Sequence, residues 1–323
     1  MKAPAELWTV AGALGDLVDE VVFVGGMIRE LLITDAAAGP ARPTQDVDCI
    51  VNAASRAEYY QLSDRLRARG FSECTEEGAP LCRWIANGVP VDVMPVDPEI
   101  LGYSNVWYPS GIAHAIREPG PQGSIRIVNA VHFCATKIES FLGRGEGDFF
   151  HHDMEDLIAV IDGRAELPAE VAAAPKDLRE FIAERLTEWL ADKAFIAALP
   201  GNLAGDAASQ ARLPIILARM RKIASLHSGK APAIRPGKPL LGPSIRGAAA
   251  APLPGRVTLT SSNLRAAEYD SGTQTLIIDF HGGRRYEYRG VPQNVYAGLL
   301  RAPSHGRYFH QWIRDRYPYR QLA

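Results

Sequence analysis

Asp46-Val47-Asp48 opens a short apolar run, Cys49-Ile50-Val51. Alternate residues of a strand point to one face, so the spacing predicts that both carboxylates project together. Side by side, two like charges are costly unless a cation lies between them. Oxygen-only pairs of this kind hold Mg²⁺ and leave positions for water and phosphate oxygens. A third acid, Asp92, stands alone in Pro90-Val91-Asp92-Val93-Met94. A charge inside an apolar strand needs a partner or a metal. Asp92 either completes the cation site and draws the proton from an attacking hydroxyl, or pairs with Arg83 across a hairpin. Asp97 takes its place if the strand register is shifted.

Gly25-Gly26 follows the apolar run Glu20–Val24 and precedes helical spacing over Met27–Ile33. Glycine at a strand-to-helix turn lets a phosphate approach the backbone, where a helix start offers free N–H groups. The same dipeptide also serves as a plain turn. Further on, Lys137 sits in an apolar helical stretch and Arg144 lies two turns later, followed by Asp153 and Asp156 three residues apart on one helix face. Lys137 and Arg144 suit the oxygens of a triphosphate, the arginine with two donors and the lysine as a point charge. Asp153 and Asp156 would orient them. The competing account is a purely structural ion-pair network. His151-His152-Asp153, with His114, His132 and Asp206, also invites comparison with the metal site of HD-type phosphohydrolases, at poor spacing.

Placing these groups takes a sheet and the helices behind it. The pattern predicts a helix over Pro4–Leu17, strands at Glu20–Val24 and Val47–Val51, and a helix capped by Ser55 that runs to Arg69. A hairpin over Leu81–Ala86 and Val89–Met94 turns at Asn87-Gly88, residues that accept positive φ. Pro95–Ser124 reads as irregular. Helices are expected over Ala130–Leu142, His152–Ile161, Ala174–Ala198 and Ser209–Ala224, which gives an α+β domain with a helical annex. Ser228–Pro254 has the composition of an extended Pro/Gly-rich basic linker. Beyond it, strands over Val257–Phe280 and Arg284–Arg289 precede short helices at Pro292–Leu300 and His305–Arg314. The expected divisions are 1–165, 166–227, 228–255 and 256–323.

The whole chain has 323 residues, 47% hydrophobic and 22% charged, with a net charge of −2. Those values exclude a disordered, collagen-like or coiled-coil chain. No run approaches the ~18 apolar residues of a membrane span. The start, Met1-Lys2-Ala3-Pro4, lacks a signal-peptide pattern, and Cys49, Cys74, Cys82 and Cys134 form no CxxC pair. A cytoplasmic protein with free thiols and no membrane contact is expected. The small net charge conceals a division: residues 1–206 hold 17 basic and 32 acidic side chains, residues 207–323 hold 18 and 5. An acidic half suits a cation site and a basic half suits a polyanion; the alternative is that the two halves simply attract each other.

Taken together, the glycine pair, Asp-x-Asp and the lone strand aspartate resemble the DNA polymerase β superfamily of nucleotidyltransferases. Phe23-Val24-Gly25-Gly26-Met27-Ile28-Arg29-Glu30-Leu31-Leu32 with Asp46-Val47-Asp48-Cys49-Ile50-Val51 looks most like the head of tRNA CCA-adding enzymes. That resemblance implies a polymerase-β-like catalytic domain, with two Mg²⁺ ions (or Mn²⁺) on Asp46, Asp48 and Asp92. It also implies an NTP bound at Gly25, Gly26 and Arg29, and release of pyrophosphate. The interval from Gly26 to Asp46 is longer than in CCA-adding heads, and no later Arg-Arg-Asp or Glu-x-x-Arg element follows. For the next segment, Lys137, Arg144 and Asp153 with Asp156 resemble AbiEii-type toxin nucleotidyltransferases, which implies a toxin-like or defence role and a neutralising partner protein. The acceptor hydroxyl is expected on RNA, such as a tRNA 3′ end. The alternatives are a protein or small-molecule acceptor such as an antibiotic, or a non-catalytic nucleotide- or RNA-binding regulator.

From Thr258 on, Ser261-Ser262-Asn263-Leu264, Glu268-Tyr269-Asp270, Tyr286-Glu287-Tyr288-Arg289-Gly290-Val291-Pro292 and Ala302-Pro303-Ser304-His305-Gly306-Arg307 resemble the KTSC domain. This small module occurs alone and appended to some lysyl-tRNA synthetases. Arg284, Tyr286, Tyr288 and Arg289 share one predicted strand and offer guanidinium planes and rings for RNA phosphates and bases. Alternatively, Tyr286 and Tyr288 face the module's core.

Overall fold

Val21–Val24 is apolar at every position, and a run of that kind becomes a strand buried on both faces. It is β1 of a seven-stranded sheet. In chain order the others are β2 (Val47–Val51), β3 (Ser72–Glu73), β4 (Arg83–Ala86), β5 (Val89–Pro95), β6 (Ile116–Gly120) and β7 (Gly123–Ile127). The computed structural model describes residues 4–39, 44–76, 79–121, 123–145, 147–228, 256–259, 264–280, 285–301, 305, 308–309, 313, 317 and 319–322. The chain divides into two compact units with the boundary between Gly237 and Lys238. The expected linker lies outside the described residues, apart from Ser228.

In the first unit the strand order is β3-β4-β5-β2-β1-β7-β6. β2 runs parallel to β5 and β1 parallel to β7, while the remaining neighbours are antiparallel. Asn87 and Gly88 take the positive φ angles, 48° and 81°, that the tight β4–β5 turn requires.

Helices α1 (Ala5–Leu14), α2 (Arg29–Leu32) and α3 (Arg56–Ala68) accompany the first strands. Ser55 caps α3 by accepting from the Glu58 amide at 3.2 Å. Pro95–Ser124, expected to be irregular, instead holds α4 (Pro98–Leu101), α5 (Tyr108–Ala113), β6 and the start of β7. Its prolines and charges hide a hairpin whose inner strand is tied into the sheet beside β1.

The helical part comprises α6 (Ala130–Arg144), α7 (His152–Gly163), α8 (Leu167–Ala173), α9 (Lys176–Ala191), α10 (Lys193–Ala198), α11 (Ala207–Gln210) and α12 (Leu213–Ala224). The single helix expected over Ala174–Ala198 is broken at Asp192, whose carboxylate accepts from the Ala194 amide and starts α10. Phe133, Leu157, Val171, Leu186 and Met220 of these helices belong to the same apolar core as Phe23, Cys49 and Val91 of the sheet. No helix among the described residues is long and apolar enough to cross a membrane.

The second unit is an antiparallel sheet of β8 (Val257–Thr258), β9 (Leu264–Asp270), β10 (Thr275–Phe280), β11 (Arg285–Arg289) and β12 (Tyr319–Leu322), in the order β12-β11-β10-β9-β8. Helix α13 (Gln293–Arg301) follows β11. β12 was not expected: four residues, Tyr-Arg-Gln-Leu, are too short to show a period. The chain is thus α+β, a mixed sheet with helices plus a small β-rich module.

Candidate active site

β2 and β5 are parallel neighbours in a register that sets Asp48 opposite Asp92. Asp46 lies two residues before Asp48 and so shares its face. Asp46, Asp48 and Asp92 each offer an oxygen within 4.8 Å of the others. Burial pushes the Asp48 carboxyl up to about 7, and the charges of Asp46 and Asp92 push the same way against the opposing pull of Lys137 and Arg144.

Arg83 enters this cluster from β4, in register with Asp92. Its Nε and Nη2 donate to the two Asp92 oxygens at 2.8 Å each, and Nη2 also donates to Asp46 Oδ2 at 2.8 Å. Asp92 therefore lies within the acidic cluster and pairs with Arg83 across the hairpin. Asp48 has no such donor among the described residues. Thr44 Oγ1, unremarked in the sequence, donates to Asp46 Oδ1 at 3.3 Å. Asp97 instead caps α4 through the Glu99 amide at 2.8 Å.

The glycine pair joins this acidic cluster to a cationic one. Gly25 has φ 74° and ψ −169°, a conformation essentially confined to glycine. A Cβ on it would lie 1.9 Å from Asp48 Oδ2, so the missing side chain is what admits the carboxylate. A Cβ on Gly26 would meet Asp156 Oδ2 at 3.2 Å. The two glycines thus rest against Asp48 on one side and Asp156 on the other.

Behind the turn, α6 and α7 pack together and bring their ionic groups face to face. Lys137 Nζ lies 3.1 Å from Asp153 Oδ1 and 2.6 Å from Asp156 Oδ2. Arg144 Nε and Nη2 donate to Asp153 at 2.8 and 2.9 Å. Those cations hold the Asp153 carboxyl well below the usual carboxylate range against the upward push of burial. Arg29, expected to reach a nucleotide directly, is only 2% exposed and bonds to Asp156. A side chain so buried supports the network from beneath. The Arg144 side chain, 58% exposed, is the network's outlet to solvent. Lys137 and Asp153 are buried.

The phosphohydrolase arrangement does not form. His132 is buried, with Nε2 2.9 Å from Ser110 Oγ and Nδ1 3.0 Å from Asn129 Oδ1, and its ring stacks on His114. Asp206 caps α11. His151, His152 and Asp153 do offer ligand atoms within 4.8 Å of one another. Asp153, however, is occupied by Arg144 and Lys137, and His151 Nδ1 accepts from the Asp153 amide as the cap of α7. Two adjacent cations oppose a third.

Comparison with known proteins bears on the second unit. The KTSC domain family model matches residues 260–317. A protein of Stutzerimonas stutzeri of uncharacterized role is 42% identical over 62 residues, 19% of this chain and 87% of that protein. This chain belongs to the KTSC domain family. A lysine–tRNA ligase of Trichormus variabilis is 41% identical over 80 residues, 25% of this chain; the chain spans only 14% of that ligase's length. Among solved structures, the KTSC domain protein YPO2434 of Yersinia pestis is 30% identical and covers 21% of this chain and 96% of its own, at a TM-score of 0.20. JHP933 of Helicobacter pylori is 10% identical and covers 68% of this chain and 90% of its own, at a TM-score of 0.36.

Within the KTSC domain, the expected ring platform is corrected by strand alternation. Tyr288 is 3% exposed and packs with Leu276, Tyr296 and Phe309, while Tyr286 is half-buried against the same core. The buried Tyr288 ring has no face left for a base. The opposite face of β11 carries Arg285, Glu287 and Arg289, with Arg289 Nε 2.6 Å from Glu287 Oε1 and Arg285 Nη2 2.9 Å from Glu268. Arg284 lies outside the described residues.

Proposed function

We propose that the first unit is a divalent-cation-dependent nucleotidyltransferase of polymerase-β-like fold. It would move a nucleoside monophosphate from an NTP to an acceptor hydroxyl. The observation that carries this reading is the convergence of the Asp46, Asp48 and Asp92 oxygens within 4.8 Å, beside a turn that only glycine fits. The donor set is all oxygen, which suits Mg²⁺ or Mn²⁺. Burial is the main cause of the raised Asp48 carboxyl, with the Asp46 and Asp92 charges adding to it, and bound cations would oppose both. Asp46, Asp48 and Asp92 would hold those ions, which when bound supply charge stabilisation at the phosphates and ease deprotonation of the hydroxyl.

The acceptor oxygen forms a bond to the α-phosphorus as the bond to the β-phosphate oxygen breaks, and pyrophosphate leaves with that electron pair. The hydroxyl proton passes to a carboxylate. Asp92 is the expected acceptor; without a bound cation both its oxygens accept from Arg83. Gly25 and Gly26 let the turn lie against the Asp48 carboxylate, where the triphosphate would bind. Arg144 is the exposed donor for phosphate oxygens, and Lys137, Asp153, Asp156 and Arg29 hold it and the turn in place. Such catalysis is largely positioning and charge stabilisation.

For the acceptor we favour RNA. The 18 basic against 5 acidic side chains in residues 207–323 suit a polyanion, and relatives of the KTSC domain include ligases that act on tRNA by name. Calorimetric titration of Mg²⁺-NTP tests the site itself. Binding by the wild-type chain and none by an Asp46→Ala/Asp48→Ala variant is expected; equal heats from both would overturn the assignment.

A further inference from the structure

Arg83 occupies the position a cation would compete for. Its guanidinium reaches both oxygens of Asp92 and one of Asp46, and leaves Asp48 untouched. Three carboxylates and one guanidinium leave the cluster at −2, and arginine stays protonated in any protein environment. Oxygens that accept from Arg83 are the same oxygens a divalent ion would need. The Arg83 side chain is one-quarter exposed and comes from a hairpin strand, so it can turn outward without unpacking the core.

We propose that Arg83 is a built-in counter-ion of this site, an inhibitory latch that spans Asp46 and Asp92 until a divalent cation displaces it. The proposal rests on the metal-site reading above. With no cation, the latch keeps three neighbouring acids from driving the β2 and β5 ends apart. On loading, each oxygen that changes partner gives up an N–H donor and gains a metal bond, and the freed guanidinium turns to solvent or to an anion brought by the substrate. Arg83 therefore sets how much free cation the site requires, and acts as a positioning residue.

The test uses the full chain without nucleotide. Mn²⁺ binding is followed by electron paramagnetic resonance of the free ion for the wild type, Arg83→Gln, Arg83→Lys and Asp46→Ala/Asp48→Ala, with thermal melting alongside. Removing a competing charge predicts Mn²⁺ binding about tenfold tighter in Arg83→Gln, with Arg83→Lys in between because it keeps the charge but loses the two-pronged grip. Arg83→Gln should also melt lower than wild type without Mn²⁺ and recover with it. Unchanged or weaker Mn²⁺ binding in both Arg83 variants, with the wild type binding normally, overturns the latch and leaves the metal site standing. No Mn²⁺ bound by the wild type or by either Arg83 variant overturns both. Should Arg83→Gln fail to fold, the direction of the Arg83→Lys change decides.

Discussion

Gly25→Ala is the substitution for which the structure predicts most. The backbone at this position, φ 74° and ψ −169°, is one that residues with a Cβ adopt only under strain, at about 1–3 kcal/mol. The added methyl would also lie 1.9 Å from Asp48 Oδ2 and 2.8 Å from its carboxyl carbon. To restore van der Waals contact the carboxylate must retreat by about 1.5 Å, which takes it out of reach of the other two acids. Backbone strain alone should lower the melting temperature of a unit this size by roughly 2–12 °C. Mn²⁺ affinity should fall at least about tenfold, a loss beyond what global destabilisation produces. Gly26→Ala is the control: its methyl would lie 3.2 Å from Asp156 Oδ2 at an ordinary φ, so a change within about 1 kcal/mol is expected. In the double variant Gly25→Ala/Asp48→Ala the clash disappears while the strain stays, so the two losses should fall short of additivity by about 1 kcal/mol. Scanning calorimetry and Mn²⁺ titration measure all of this. A Gly25→Ala chain that melts and binds like wild type would refute the reasoning.

Other substitutions have equally definite outcomes. Because the folded-state Asp48 carboxyl is raised from its ordinary 3.8 to about 7, its contribution to stability is full below pH 3.8 and is lost as pH rises to about 7; in metal-free buffer Asp48→Asn should flatten this slope in a melting-temperature profile. Asp153→Ala strands the buried Lys137 with Asp156 alone and should cost about 3–5 kcal/mol in denaturant unfolding. Arg144→Ala leaves Asp153 with Lys137 as its buried cation and should cost less than Asp153→Ala while weakening NTP binding by calorimetry. In the KTSC domain Tyr288→Ala should cost about 3–5 kcal/mol and speed amide exchange across β9 to β11, whereas Arg289→Ala should change exchange little.

What could be read from the sequence was local. Two-residue alternation is enough to put Asp46 and Asp48 on one face, and the Asn87-Gly88 turn is enough to set the β4–β5 hairpin that carries Arg83 and Asp92. Ser55 shows itself as a cap by type and place. Long-range packing was not legible. Arg29 and Asp156 are separated by 127 residues, and nothing near Arg29 indicates that it will be buried beneath α7. Gly25 reads as a turn residue, but its close approach to Asp48 depends on the pairing of Val24 with Asp48 across β1 and β2. Alternation along β11 is clear, yet it leaves open which face is inward; burial of Tyr288 against Phe309 and Ile313 decides that. The β6–β7 hairpin was obscured by Arg117, Glu118, Pro119 and Gly120, which carry no apolar period.

We propose that Asp46, Asp48 and Asp92 form a cation-dependent nucleotidyl-transfer site. It is tested most directly by incubating the purified chain with Mg²⁺, total tRNA and each α-labelled NTP in turn, beside the Asp46→Ala/Asp48→Ala variant. Label in the RNA from at least one nucleotide, dependent on Mg²⁺ and absent with the variant, is the predicted result. No transfer of label to RNA or to protein with any nucleotide, or equal labelling by the variant, would contradict it.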